Sequence, residues 1–365
     1  MRAVSVVLES TAQEQTGSSV GFDWAVVGAC AWFQFGAYLD GWAHLHLPEL
    51  ESFFTPWHAV LYSGFLAVAA LTVGALLRNR ARGRSWRQAL PAGYELSLLG
   101  VLIFAAGGAG DMLWHLVFGI EIDFEALLSP THLVLGFGAT LIFTGPLRAA
   151  WRRPETSAQG VLQLPMLFSL AFLLSSFTFW TLYAHPLGRP WAAPGNRPTA
   201  ASFPVFSPDP LVRGGGLISF YIVDALGVAS VLLQAALLAG VVLLAVRRWG
   251  WSLPPGGFTL VFTVNAILMG FMRDQKILIP AAFLAGALGD LLLKWLRPSV
   301  ARAAALRLFA FAVPAVYYLC YFVALKLTKG VAWSVHLWTG SVMLAGFVGL
   351  LLSYLVVPPR SAGQS

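Results

Sequence analysis

Ten apolar stretches run through the chain, at residues 22–40, 56–77, 91–118, 129–150, 161–184, 214–246, 257–272, 277–296, 304–325 and 330–357. A helix needs about 20 residues to cross a hydrocarbon core about 30 Å thick, and most of these stretches reach that length. Of 365 residues, 58% are hydrophobic and only 11% charged, more apolar surface than a soluble core can hide. In lipid every backbone polar group must find a partner within its own segment or in a closed barrel, and runs this long read as helices. The expected fold is an all-α polytopic membrane protein with about ten transmembrane helices and the lipid bilayer as its surroundings.

The net charge of +7 does not point to nucleic acid, because the arginines fall in short gaps between apolar stretches. Arg78, Arg80, Arg82, Arg84 and Arg87 fill one gap, Arg148, Arg152 and Arg153 the next, then Arg247 and Arg248, then Arg297, Arg302 and Arg307. Such clusters mark cytoplasmic loops. With both termini cytoplasmic, 16 of the 23 Lys and Arg lie on the inner side. The expected location is the inner (cell) membrane. Cys30 and Cys320 stand inside apolar stretches without CxxC spacing, so neither a disulfide framework nor covalent haem is expected. The first twenty residues lack the charged, apolar and cleavage regions of a signal peptide, and the first helix is expected to direct insertion.

This pattern divides the chain into a cytoplasmic tail (1–21), a four-helix region (22–150), a fifth helix (151–184), a Pro-rich extracytoplasmic loop (185–213), a second helical bundle (214–357) and a cytoplasmic tail (358–365). Under that topology all seven histidines fall in the outer half of the membrane or just outside it.

The four-helix region carries a repeated constellation. Residues 36–64 read GAYLDGWAHLHLPELESFFTPWHAVLYSG, and residues 107–138 read GGAGDMLWHLVFGIEIDFEALLSPTHLVLGFG. Each runs Asp, three residues, His, an acidic and aromatic loop, then Ser or Thr, Pro, any residue, His. Asp40 and Asp111 stand 71 positions apart, as do His44 and His115. The shared order and chemistry predict an internal duplication of a two-helix hairpin. Asp40 and His44, like Asp111 and His115, are i and i+4 on one helical face. Thr55 and Ser129 suit an N-cap, with Pro56 and Pro130 at the first helical position. His58 and His132 then sit in the first turn, level with the membrane face the loop has just left. Two imidazoles and a carboxylate form a familiar ligand set for copper, zinc or non-haem iron.

Within residues 20–150 the segment DGWAHLHLPELESFFTPWH resembles the copper-site segment of the membrane C subunit in the particulate methane and ammonia monooxygenase family. That resemblance implies that Asp40, His44 and His58 are ligands of one copper ion, with Asp111, His115 and His132 where the family carries a second set. The family's second set opens with an amide side chain, where this chain has Asp111. The resemblance also implies partner subunits and oxidation of a small or apolar substrate reaching the site from the bilayer.

Three other readings stay open on the residues alone: a metal-handling or transport protein, a haem b protein using pairs of these histidines, and a structural subunit. The chain has only six Met and two Cys, which speaks against a soft-ligand Cu(I) route. Trp42, Phe53, Phe54, Trp57 and Trp114 are candidate pocket walls. Glu49, Glu51, Glu121, Asp123 and Glu125 read as solvated loop carboxylates, and His46 points away from His44. His185 reads as a helix-end cap, and His336 lies between Trp333 and Trp338 in an interfacial belt. Asp224 reads as a partner of Arg213 or a proton relay, Asp274 as a turn residue, and Asp290 as paired with Lys294.

Overall fold

The computed structural model describes residues 18–47, 54–119, 125–154, 163–196 and 210–358. Among them the chain is helical, without a β-strand. The main helices are α1 (Val20–His46), α2 (Pro56–Ala81), α3 (Glu95–Phe118), α4 (Pro130–Phe143), α5 (Gly145–Arg152), α6 (Leu164–Trp180), α7 (Pro210–Trp249), α8 (Gly257–Met272), α9 (Ile279–Leu296), α10 (Ala303–Thr328) and α11 (Val335–Val356). Each apolar stretch of the sequence coincides with helix, and the fourth is broken at Thr144, where α4 gives way to α5.

Among the described residues, seven helical segments are long and apolar enough to cross a membrane, the pattern of an integral-membrane helical protein. They are Pro56–Ala81, Glu95–Phe118, Pro130–Arg152, Tyr221–Ser252, Lys276–Leu296, Ala303–Thr328 and Val335–Val356. Helices α6 and α8 are apolar but shorter, at 17 and 16 residues. Helix α1 has 27 residues, but Asp23, Gln34, Asp40, His44 and His46 lower its mean hydropathy.

The chain forms two compact units, residues 1–176 and 177–365. The boundary lies inside α6, not in the Pro-rich loop where the sequence would put a seam. The physical reason is that residues 185–196 are built into the second unit. Leu187, Trp191, Ala192 and Ala193 are buried, the Ala332 amide donates to Ala192 at 2.7 Å, and the Tyr321 hydroxyl donates to the Pro186 carbonyl at 3.2 Å.

In the first unit, α1 packs on α2 and α3 on α4. Without a hydrophobic driving force between helices in lipid, small residues at the contact allow the close packing that holds them. A Cβ at Gly64 would lie 2.6 Å from the Phe33 backbone, and one at Gly138 2.8 Å from the Phe104 backbone. A Cβ at Gly36 would lie 2.6 Å from Leu61, and one at Gly107 would meet Val134 and Leu135 at 3.1 and 3.2 Å. These pairs stand at offsets of 71 (α1 to α3) and 74 (α2 to α4), the same offsets that relate the Asp and His residues. The phenylalanines these glycines admit meet at the centre of the unit, with the Phe33 and Phe104 rings edge-to-face at 4.9 Å and Phe65 against Phe104 at 4.6 Å.

The end of this unit away from the histidines is held by a buried carboxylate. Asp23 accepts from Tyr94 Oη at 2.7 Å and from Ser18 Oγ at 2.5 Å, and pairs with Arg153. A fully buried charge is stable only when paired and hydrogen-bonded this way.

In the second unit, Asp290 of α9 caps the start of α8. It accepts from the Phe258 and Thr259 amides at 2.9 and 3.0 Å and from the Thr259 hydroxyl at 2.6 Å. The expected pairing with Lys294 gives way to these bonds, because the positive end of a helix with free amides is the stronger partner for a half-buried carboxylate.

Candidate metal centre

The six residues singled out in the sequence gather into two groups of three. Asp40, His44 and His58 bring one ligand atom each within 4.8 Å of one another, and so do Asp111, His115 and His132. Local structure explains the assembly. The last two turns of α1 carry Asp40 and His44, and the last two of α3 carry Asp111 and His115. The Thr55 hydroxyl accepts from the His58 amide at 3.1 Å, and the Ser129 hydroxyl from the His132 amide at 3.4 Å. These N-caps, with Pro56 and Pro130 following, start α2 and α4 so that each histidine faces the carboxylate of the preceding helix.

In the first group, Asp40 Oδ2 lies 3.8 Å from His44 Nε2 and 3.5 Å from His58 Nε2. In the second, Asp111 Oδ2 lies 3.5 Å from His115 Nε2, and Oδ1 lies 3.5 Å from His132 Nδ1. These separations exceed an ordinary hydrogen bond. The carboxylate–imidazole separations come near the edge of about 3.4 Å of a tetrahedral shell with bonds of 2.0–2.1 Å, and all three ligand atoms of each group lie within 4.8 Å of one another. The donor set therefore fits a metal ion.

Supporting contacts differ between the groups. His115 Nδ1 lies 3.1 Å from the Gly119 carbonyl; a proton on that nitrogen directs the Nε2 lone pair toward Asp111. The Thr131 hydroxyl donates to Asp111 Oδ1 at 2.8 Å, and Ser129 Oγ lies 2.6 Å from His132 Nδ1. At the position equivalent to Thr131, the first hairpin has Trp57. The two groups are also neighbours, since Asp40 is within electrostatic range of Asp111 and His115. Tyr62, one turn along α2 from His58, stands in range of both carboxylates, and its ring centre is 6.2 Å from that of His58.

Sequence reading missed Tyr62, although its i+4 relation to His58 places it on the same helical face. It also missed the hydroxyl of Thr131 and the buried pair of Asp23 with Arg153.

The other candidates stand apart. His46 stacks on Trp42 with ring centres 4.9 Å apart and lies 2.8 Å from the Trp42 carbonyl, away from the ligand group. His185 is buried, its Nδ1 accepting from the Leu187 amide at 3.0 Å, and burial pushes its pKa down to about 3. It shapes a turn as a neutral ring. His336 is exposed. Trp333 is buried against Phe322 rather than placed in a belt. Asp274 is a turn residue with φ of 54°. Glu49, Glu51, Phe53, Glu121 and Asp123 lie outside the described residues, as do the side chains of Glu125 and Arg213.

Fold and site together define a helical membrane protein with two Asp/His/His groups able to hold a metal. Comparison with known protein families, curated proteins and solved structures finds no match.

Proposed function

We propose that this chain is a copper-binding membrane subunit that oxidises a small or apolar substrate, similar in its site to the C subunit of the particulate methane and ammonia monooxygenase family. The observation that carries the reading is the double occurrence of Asp/His/His with ligand-like separations at one end of one helical unit. Imidazole and carboxylate donors on a divalent first-row ion favour copper by intrinsic affinity, and the same donors accept zinc or iron. The recurring glycine contacts support an internal duplication of the hairpin, and ten helices in an inner membrane with cytoplasmic termini would put both groups on the extracytoplasmic side.

A bound ion with three protein ligands would supply an open coordination position for substrate or dioxygen and a redox couple. This chain's residues do the holding. The two carboxylates supply charge, the Gly119 carbonyl orients His115, the Thr131 hydroxyl orients Asp111, and the apolar helix faces exclude water. Electrons would come from partner subunits. One carboxylate oxygen lies within 3.8 Å of both imidazoles in the first group, which suits a single ion and leaves no face for a haem between the rings.

The test is metal analysis of the purified protein with Cu(II) electron paramagnetic resonance. Nitrogen hyperfine structure from two imidazoles per copper, with the signal halved in His44→Ala/His58→Ala and lost only when His115 and His132 are replaced as well, is the expected result. Stoichiometric zinc with no copper uptake would replace the oxidase by a different metal function.

A further inference from the structure

We infer that the two groups are not equivalent, and that the first is the ligand-facing one, served by an apolar groove between α2 and α3 that takes a medium-sized uncharged molecule from the bilayer. The inference rests on the metal reading above for its chemistry and on the groove for its geometry. The groove measures about 760 Å³ and is walled by Phe54, Leu66, Ala105 and Ala109, with His58 and Tyr62 as polar contacts. Phe54 and Leu66 are 82% and 62% exposed, so the mouth lies on the outer face of the helix pair, where lipid would be.

Three observations connect this groove to one group only. His58 both belongs to the first group and lines the groove, whereas no residue of the second group lines it. Asp111 and His115 have side chains only 2% and 8% exposed, and Thr131 closes over the second carboxylate. Asp40 and His44, at 15% and 29%, are more open; the third ligands run the other way, His58 at 12% and His132 at 20%, so the contrast rests on the carboxylate and its i+4 histidine. The size decides the ligand class. A space of 760 Å³ falls in the range that encloses a drug-sized molecule, about 25 times the liquid volume of one water. A one-carbon molecule would rattle in it. An alkyl chain or small terpenoid body would fill it, directing one end to His58 and Tyr62. The room exists because α3 presents Ala105, Gly108 and Ala109 here. A Cβ at Gly108 would already stand 3.0 Å from the Tyr62 hydroxyl.

The experiment uses the full chain in lipid nanodiscs, with a diazirine-bearing octanol as photolabel and perdeuterated 1-octanol as spectroscopic probe. In metal-free protein, adducts should map to the α2–α3 groove and be displaced by excess 1-octanol. They should fall about tenfold in Ala105→Leu/Ala109→Leu, the scale on which added methylenes close an apolar pocket. Leu66→Trp fills the groove from the other wall and should do the same if the alanine variant folds poorly. In Cu(II)-loaded protein, deuterium modulation from the probe should appear in wild type and in Asp111→Ala/His132→Ala, and vanish in Asp40→Ala/His44→Ala. Labelling that octanol does not displace, or that both groove variants leave unchanged, would mean simple lipid partition and would overturn the proposal. So would modulation that follows the second group. Should no copper bind at all, the metal reading fails while the photolabelling still decides the groove.

Discussion

Hairpin α1–α2 and hairpin α3–α4 bring the same three ligand types to the same end of the unit, but they bury them differently. The Asp40 side chain is 15% exposed and that of Asp111 is 2%. The first carboxylate faces two imidazoles beside an open groove; the second also receives the Thr131 hydroxyl and sits beside a histidine tied to Gly119. One backbone plan thus yields a more open carboxylate and an enclosed one, and of the equivalent residues Trp57 and Thr131 it is Thr131 whose hydroxyl donates to its carboxylate. The shared helix spacing fixes where ligands stand; the residues between the ligands decide what reaches them.

The contrast can be broken most severely at the enclosed carboxylate. Asp111→Ala should abolish metal binding at the second group, leave the first, and lower stability by roughly 2 kcal/mol more than Asp40→Ala, because Thr131 loses a charged acceptor. Metal content and thermal unfolding of both variants in one detergent check this. Next come the helix crossings. Gly64→Ala and Gly138→Ala should each cost about 1–3 kcal/mol through overpacking, with Gly64→Ala the worse because its Cβ would stand nearer the opposing backbone. Equal costs would show that the crossings relax alike. Thr131→Val should weaken metal at the second group by about 10–100-fold and leave the first untouched, read by competitive chelator titration. The smallest effect belongs to the caps. Thr55→Ala and Ser129→Ala should each cost about 1 kcal/mol. Only Ser129→Ala should also change metal affinity, raising it at the second group, since its hydroxyl competes with an ion for His132 Nδ1.

Much of this arrangement was legible in the sequence, because helical spacing is rigid. An i, i+4 Asp and His must share a face, and Ser or Thr followed by Pro starts a helix at a defined residue, so all six ligand candidates came together as the spacing implied. Helix α1 runs to His46, six residues past the expected span, because its polar last turns still form good helix once the histidines and Asp40 have partners. Less legible were contacts that depend on a third element. Tyr62 reaches the second hairpin only because Gly108 leaves room, and Asp290 caps α8 from α9, a relation that spacing along one helix cannot reveal. Residues 185–196 read as open loop because Pro and Gly dominate them, yet Leu187 and Trp191 anchor them in the second unit.

The most direct test is copper stoichiometry by mass spectrometry of the full chain, in wild type, Asp40→Ala/His44→Ala and Asp111→Ala/His115→Ala, each loaded with copper and freed of excess. Two copper ions per chain in wild type and one in each variant is the result expected of two independent Asp/His/His sites. A wild type that retains no stoichiometric copper would contradict the central claim and leave the paired hairpins as a structural device.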